Sequence, residues 1–253
     1  MAEYLRFRLY GPLASWGDIA VGEMRHSVVS PSRSALLGLL GAALGIRRDD
    51  EAALRALTNG YRFGIKLLAT GTQLRDYHTV QEGVPLRKAR FRSRRQELAA
   101  AKVTTLLTTR EYRCDSLALV VVEARDAAPH SLIELRQALR EPVFTLYLGR
   151  KSCPLAAPLS PEVLDAASMR DAFEAPGWLP LLGLNGRVSA DWPTRLDRSV
   201  FGLRNVRYYW EDGMEAGLTA DFEVQRHDQP LSRRRWQFAP RREWVALTEE
   251  ARP

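Results

Sequence analysis

The order of strand and helix patterns in the first two thirds of the chain restricts it to few folds. Residues 4–10 alternate apolar with basic side chains, which predicts a strand with one buried face. Residues 117–122 form a nearly continuous apolar run rich in β-branched residues, which is typical of a central strand. In chain order, the patterns predict a strand at 4–10, a helix at 35–44, strands at 61–70 and 117–122, a helix at 132–139 and a strand at 143–148.

This order, β-α-β-β-α-β, is that of the ferredoxin-like or RRM-type wrap. A loop with three Gly and two Pro residues, at 11–31, follows the first strand. Loops of this length in compact domains are usually functional. After residue 158 the pattern changes to several short strand-like segments separated by turns. We therefore predict an α+β fold, with an RRM-like palm at residues 1–158 and a smaller β-rich C-terminal lobe at residues 159–253.

An insertion between the two middle strands differs in composition from its surroundings. Residues 87–95 contain six basic residues, one aromatic residue and no acid. This segment cannot form a core alone, so we predict a projecting hairpin or arm in the insertion at 81 to about 105. Guanidinium groups are the forked donors that suit phosphate oxygens, although a solvated charged surface is the alternative. The residues predicted to contact nucleic acid are Arg87, Lys88, Arg90, Phe91, Arg92, Arg94 and Arg95.

Two further segments combine positive charge with other binding features. Residues 149–152, Gly-Arg-Lys-Ser, follow a predicted strand and offer a close backbone approach and three side-chain donors. Residues 233–236, Arg-Arg-Arg-Trp, add an aromatic ring to charge, which suits single-stranded nucleic acid. A plain turn at the first segment and a strand with solvated Arg side chains at the second stay open. The net charge of +7 is a weaker indication, because heavy use of Arg also reflects a GC-rich genome.

Several function classes lack their sequence signatures here. The chain has no P-loop, dinucleotide-binding, HExxH or CxxC pattern, so we expect no cofactor and no metal. The two cysteines, Cys114 and Cys153, predict reduced thiols rather than a disulfide framework. The longest apolar run, at 35–46, is shorter than a bilayer span, and no secretory signal is visible. We therefore expect a cytoplasmic protein without a membrane partner.

Catalysis without a metal would require a general base and a cation near a scissile phosphate. The candidates are Tyr77 with His78, and His26 with Lys88. A single His in a strand is more often a packed or surface residue, so the residues favour a binding protein over a ribonuclease.

Six motifs together resemble the CasD family of CRISPR-associated proteins. The match is dense over residues 1–155 and poor over residues 160–239. The motifs are LYGPLASWG at 9–17, the helix start and apolar run at 31–46, RDYHTV at 75–80, REYRCD at 110–115, YLGRKSCP at 147–154 and RREWV at 241–245.

The resemblance implies an RRM-type palm and a thumb β-hairpin at residues 81–109, which hold the 5′ handle of CRISPR RNA in a type I-E Cascade complex that acts against foreign DNA. It also implies that the basic residues at 87–95 contact RNA or a neighbouring subunit. It implies that the chain caps a filament of CasC backbone subunits, with the large CasA subunit nearby and target DNA reached through the complex. It also implies a non-catalytic subunit, although related type I-C subunits cut RNA. A metal-independent endoribonuclease that processes CRISPR repeat RNA and a purely structural cap stay as alternatives.

Nine residues are predicted to contact the handle. Arg33 opens a helix, and helix N-termini favour anions. Arg110 and Tyr112, at the far base of the thumb, offer a guanidinium and an aromatic face for splayed bases. The full set is Arg25, His26, Arg33, Arg110, Tyr112, Gly149, Arg150, Lys151 and Ser152, and no residue is predicted to be catalytic.

Overall fold

The computed structural model describes residues 1–20, 22–84, 91–100, 102–178, 181, 197–198 and 205–249. The strands are β1 (Ala2–Tyr10), β2 (Leu13–Ala14), β3 (Trp16–Gly17), β4 (Met24–Arg25), β5 (Ser27–Val28), β6 (Tyr61–Ala69), β7 (Thr72–Gly83), β8 (Val103–Cys114), β9 (Leu117–Ala124), β10 (Glu162–Ala166), β11 (Asn205–Glu211), β12 (Phe222–Ser232) and β13 (Gln237–Glu249). The helices are α1 (Arg33–Ala43), α2 (Glu51–Gly60), α3 (Arg94–Leu98), α4 (Leu132–Arg140) and α5 (Met169–Glu174).

One antiparallel sheet of seven strands forms the centre of the molecule, in the order β10-β1-β9-β6-β11-β13-β12. The predicted strands at 4–10, 61–70 and 117–122 are confirmed as β1, β6 and β9. Residues 159–253, predicted as a second lobe, contribute four of the seven strands to this same sheet. The described strands after residue 158 therefore lie in the same sheet as β1, β6 and β9.

The predicted strand at 143–148 is wrong. The N–H groups of Val143 and Phe144 donate to the carbonyls of Ala43 and Ala42, at the C-terminal end of α1. Because these donors are used there, the segment runs irregularly beside the helix and joins no ladder. The position beside β1 is taken by β10, which lies further along the chain.

Apolar side chains cover both faces of the sheet. One core cluster joins β1, β6 and β9 to α1 and α4, and a second joins the opposite face to α5. Helix α1 begins at Arg33, and its N-cap residue Ser32 accepts the N–H of Ala35 through its side chain. Helix α4 begins with a reciprocal capping box between Ser131 and Glu134. Both helices confirm the predicted ones. Within the described residues, no helix combines the length and apolar character needed to cross a membrane.

The prediction that β1 has only one buried face is wrong, because Arg6 is 1% and Arg8 3% exposed. Burying a guanidinium is costly unless its donors are satisfied. The Nε of Arg6 donates to Glu162 Oε2 at 3.0 Å, and its Nη1 donates to the carbonyls of Ala172 and Ala175. The guanidinium carbon also lies 4.6 Å from the centre of the Trp178 ring. These partners come from residues 162–178, and they attach this segment to β1.

Strands β7 and β8 form a long two-stranded ribbon outside the main sheet. They pair in an unbroken register from Thr72 opposite Cys114 to Gly83 opposite Val103, and α3 follows the ribbon at its far end. Most of the distal residues of the ribbon are exposed. The paired ribbon extends beyond the predicted thumb at 81–109 on both sides. Among the predicted thumb residues, Arg87, Lys88 and Arg90 lie outside the described residues.

Candidate nucleic-acid interface

Three chain segments meet at the base of the β7–β8 ribbon. Strand β4 pairs in parallel with β8, which places Arg25 opposite Arg110 in the ladder. Strand β2 pairs with the end of β8, and a bridge between Tyr147 and Pro154 closes the loop that carries Arg150. The fold thus brings together three regions that the sequence analysis named separately.

Arg150 connects the three segments. Its guanidinium carbon lies 4.8 Å from the centre of the Tyr112 ring. Its Nη1 donates to the carbonyl of Glu111 and its Nη2 to the carbonyl of Arg25, each at 3.3 Å. These partners, the ones described for Arg150, are two carbonyls and a ring, so its positive charge is not neutralised by a carboxylate. A guanidinium held flat in this way is suited to an anion or to the face of a base.

Tyr112 itself is 8% exposed, and Arg150 covers its ring. The predicted aromatic platform for bases is therefore occupied by an arginine of the same chain. The surface that faces outward at this point is the guanidinium, while Tyr112 supports it from below.

Gly149 holds the Arg150 loop against the segment between β2 and β3. Its φ is +83°, a backbone conformation that residues other than glycine rarely adopt. A Cβ at this position would lie 1.8 Å from the carbonyl oxygen of Ser15. The N–H of Ser15 in turn donates to the carbonyl of Leu148 at 3.0 Å. The close approach that the sequence predicts at Gly149 is thus made by backbone of the protein itself.

Glu111 anchors the same region from inside. Its carboxylate lies 3.3 Å from His26 Nδ1, accepts the N–H of Ser27 at 3.4 Å and accepts from Arg75 Nη2 at 3.3 Å. Burial alone would raise the pKa of Glu111, but the Ser27 N–H, His26 and Arg75 together lower it. An ionised Glu111 therefore joins β5 to the ribbon. The sequence pattern does not indicate this role, which follows from the hairpin register that places Arg75 opposite Glu111.

Arg33 lies elsewhere. It is 3% exposed, forms an ion pair with Glu211 and donates to the carbonyls of Thr58 and Tyr61. The backbone N–H of Arg33 donates to the Asp228 carboxylate at 2.7 Å. A carboxylate of the protein itself therefore already occupies the N-terminus of α1. We therefore leave Arg33 out of the interface. The remaining predicted residues Arg25, Lys151 and Ser152 are exposed, and Arg110 is partly exposed.

The described part of the predicted thumb cluster lies between β7 and β8, at the far end of the ribbon. Arg92, Arg94 and Arg95 are exposed and Phe91 is partly exposed. Arg94 forms an ion pair with Glu97 at 2.7 Å on α3. The other two arginines extend the basic surface away from the ribbon base.

The residues considered as candidates for catalysis do not converge within the described residues. Tyr77 and His78 are consecutive in β7, so their side chains point to opposite faces of the ribbon. His78 Nδ1 lies 3.9 Å from Asp76, and His26 lies beside Glu111 at the ribbon base. Lys88 is outside the described part of the chain. Among the described residues no group of three or more His, Cys, Asp or Glu side chains is placed to hold a metal ion.

The sequence and the fold are similar to those of CRISPR-associated proteins. Residues 4–243 match the sequence model of a family described as CRISPR-associated protein (Cas_Cas5). The CRISPR system Cascade subunit CasD of Escherichia coli (strain K12) is 38% identical over 167 residues, which are 63% of this chain and 70% of the relative.

Two solved structures share the fold. A chain of a CRISPR RNA-guided surveillance complex superposes with a TM-score of 0.63 and 24% identity, covering 97% of this chain and 90% of that chain. A crystal structure of a Cas protein superposes with a TM-score of 0.57 and 25% identity, covering 97% of this chain and 94% of the other.

Proposed function

Because this chain belongs to the CRISPR-associated Cas5 family, we propose that it is the CasD-type subunit of a Cascade complex and that it binds the 5′ handle of CRISPR RNA. The observation that carries the proposal is the Arg150 guanidinium, which is stacked on Tyr112 and bound by two carbonyls at the base of the ribbon. The sequence relative that supports the Cascade assignment is the CasD subunit of Escherichia coli.

The chemistry of the ribbon base suits RNA of irregular shape. Arg25, Arg110, Arg150 and Lys151 supply cationic donors for phosphates, and contacts of this kind make affinity fall as salt rises. The flat face of the Arg150 guanidinium is a stacking surface for an unpaired base. Handle recognition in this proposal combines phosphate contacts from several segments with one stacking position.

In this proposal, parts of the fold correspond to the palm and the thumb that the family resemblance implies. Strands β10, β1, β9 and β6, with α1 and α4 against one face, correspond to the RRM-type palm, because this strand order is that of a β-α-β-β-α-β wrap. The β7–β8 ribbon with α3 corresponds to the thumb. We infer that palm and thumb cap a filament of CasC subunits, that CasA docks beside them, and that target DNA is reached through the assembled complex.

The subunit acts in this proposal without catalysis. The separation of Tyr77 from His78 across the two faces of β7 supports this, since a general base and an acid or cation must meet at one phosphate. A metal-independent endoribonuclease acting on CRISPR repeat RNA is the second candidate. The exposed Tyr77 side chain and the partly exposed His78 are the observations that favour it.

Binding of labelled repeat RNA to the purified full-length chain in EDTA, across a salt series, tests both candidates. Intact RNA bound in preference to RNA with a scrambled handle is the expected result. Arg150→Ala should weaken binding about tenfold, because a charge-assisted hydrogen bond is lost. Arg140→Ala, at the exposed end of α4, is the matched control and should bind like the wild type.

Cleaved RNA would replace the binding proposal with the endoribonuclease. If the isolated chain binds no RNA, copurification of repeat RNA with the co-expressed CasC and CasA subunits decides the question. Retention of the RNA that is lost in Arg150→Ala but not in Arg140→Ala would then support the proposal, and equal retention in both would favour the purely structural cap.

A further inference from the structure

The turn between β12 and β13, residues 233–236, is fixed against the start of α2. Glu51 accepts from the Ser232 hydroxyl at 2.7 Å and from the Arg234 N–H at 2.9 Å. The Nη2 of Arg233 donates to the carbonyl of Ser34 at 2.5 Å. This basic and aromatic turn, which the ribbon-base site does not use, is therefore held in one position against α1 and α2.

Trp236 ends this turn in a conformation that does not suit a tryptophan. Its φ is +52°, in the left-handed region, and its side chain is 58% exposed. The guanidinium carbon of Arg48 lies 3.9 Å from the centre of the indole ring, and Phe238 lies at a ring separation of 6.4 Å. A strained and exposed aromatic residue contributes little to the core, and such strain is concentrated at functional sites.

Positive charge surrounds the indole. Burial lowers the pKa of Arg233, and the nearby charge of Arg48 lowers it further. The carboxylate of Glu51 is already bound to the Ser232 hydroxyl and the Arg234 N–H of the turn itself. A bound anion reduces the repulsion between two positive charges that are held near each other on a fixed surface.

A wide depression of about 2420 Å³ extends from this turn to the ribbon-base site, since Trp236 and Arg233 line it together with Gly149 and Lys151. Eight Lys or Arg side chains line the depression against four Asp or Glu side chains. Of the four acids, Asp228 is bound by Arg241 and Glu51 by the turn. Phe144 and Tyr147, which also line it, are 44% and 40% exposed.

We propose that the β12–β13 turn is a second binding surface for single-stranded nucleic acid, distinct from the handle site, where a base stacks on Trp236 and phosphates contact Arg48 and Arg233. Exposed aromatic rings along a basic groove are the arrangement that binds single strands without sequence preference. The strand occupies the depression in continuity with the ribbon base. Its source is either a further stretch of RNA or a single DNA strand.

Anisotropy of labelled dT12 and rU12 with the full-length chain, over a salt series, tests the proposal. Trp236→Gly is the decisive variant, because glycine suits a φ of +52° and removes the ring without straining the turn. It should weaken binding of the preferred oligonucleotide about tenfold. Arg48→Gln should lower the slope of log affinity against log salt by about 0.7. The tighter oligonucleotide identifies RNA or DNA as the source.

Arg140→Gln is the control for a general loss of charge and should bind like the wild type. Trp236→Gly should keep its preference for the correct handle over a scrambled one, which distinguishes this surface from the handle site. The proposal is overturned if the wild type binds neither oligonucleotide, if Trp236→Gly and Arg48→Gln bind as tightly as the wild type, or if Arg140→Gln loses as much. Loss of a co-expressed protein subunit with unchanged oligonucleotide binding would also overturn it and indicate a protein contact instead.

Discussion

Arg241, in β13, and Arg150, at the base of the β7–β8 ribbon, have opposite environments. Arg241 is bound by Asp228 at 2.6 Å and by Glu243 at 2.6 Å. Burial alone would lower the pKa of Arg241, but Glu243 and Asp228 raise it. Arg150 is held instead by two carbonyls and an aromatic ring.

The bound partners, rather than the residue type, therefore separate a structural arginine from a binding one. A buried guanidinium whose donors meet carboxylates has its charge neutralised within the fold. A guanidinium positioned by neutral groups keeps its charge for a ligand. Arg33, which the sequence predicts beside Arg150 as an RNA contact, belongs to the first group because its guanidinium pairs with Glu211.

The largest expected effect comes from removing a structural arginine. Arg241→Met leaves Asp228 and Glu243 without the cation between them, and breaking a buried ion pair in this way costs about 3–5 kcal/mol. Chemical denaturation should show this loss in the free energy of unfolding. Arg150→Met should change it by less than about 1 kcal/mol. Equal losses in the two variants would remove the distinction between the two groups.

An intermediate effect is expected from Gly149→Ala. The added Cβ meets the Ser15 carbonyl, and the φ of +83° disfavours alanine, so we expect a loss of about 1–3 kcal/mol. RNA affinity should fall as well, because the Arg150 loop moves. Gly17→Ala is the matched control, since a Cβ at that position meets nothing within 4 Å. Thermal unfolding and RNA anisotropy on both variants measure the effect, and a stable Gly149→Ala protein with wild-type affinity would contradict the assigned role.

The fold could be predicted wherever local periodicity decides it. The alternation at 4–10 and the apolar run at 117–122 locate β1 and β9, and the cap residues locate α1 and α4. The segment at 143–148 is as apolar as a strand, but its N–H groups bind the end of α1. The strand that takes its place, β10, is selected by pairing with β1 across the whole chain, which no local pattern reports.

The sequence predicts which segments form the site, but not how these segments are arranged in space. The sequence analysis named Arg25, Tyr112 and Arg150, and the structure brings them into contact. It could not separate Arg33 from them, because the carboxylate that pairs with Arg33 lies 178 residues further along the chain. A partner that distant in sequence is visible only once the fold is known.

The smallest expected effect is a pH dependence centred on Glu111. The folded protein holds the pKa of Glu111 below its ordinary value of 4.5. The resulting stability is fully present above pH 4.5 and is lost as the pH falls through the lowered pKa. Glu111→Gln should therefore lose less stability than the wild type between pH 7 and pH 3, as measured by thermal unfolding. A larger loss in Glu111→Gln would mean that the carboxylate is not stabilised by His26, Ser27 and Arg75.

Photocrosslinking shows whether RNA lies at the base of the ribbon. Repeat RNA carrying 4-thiouridine in the handle would be crosslinked to the complex of this chain with its co-expressed subunits, and the modified peptides identified by mass spectrometry. We expect crosslinks within residues 22–28, 109–114 or 147–153. Handle crosslinks to this chain that avoid all three segments would contradict it.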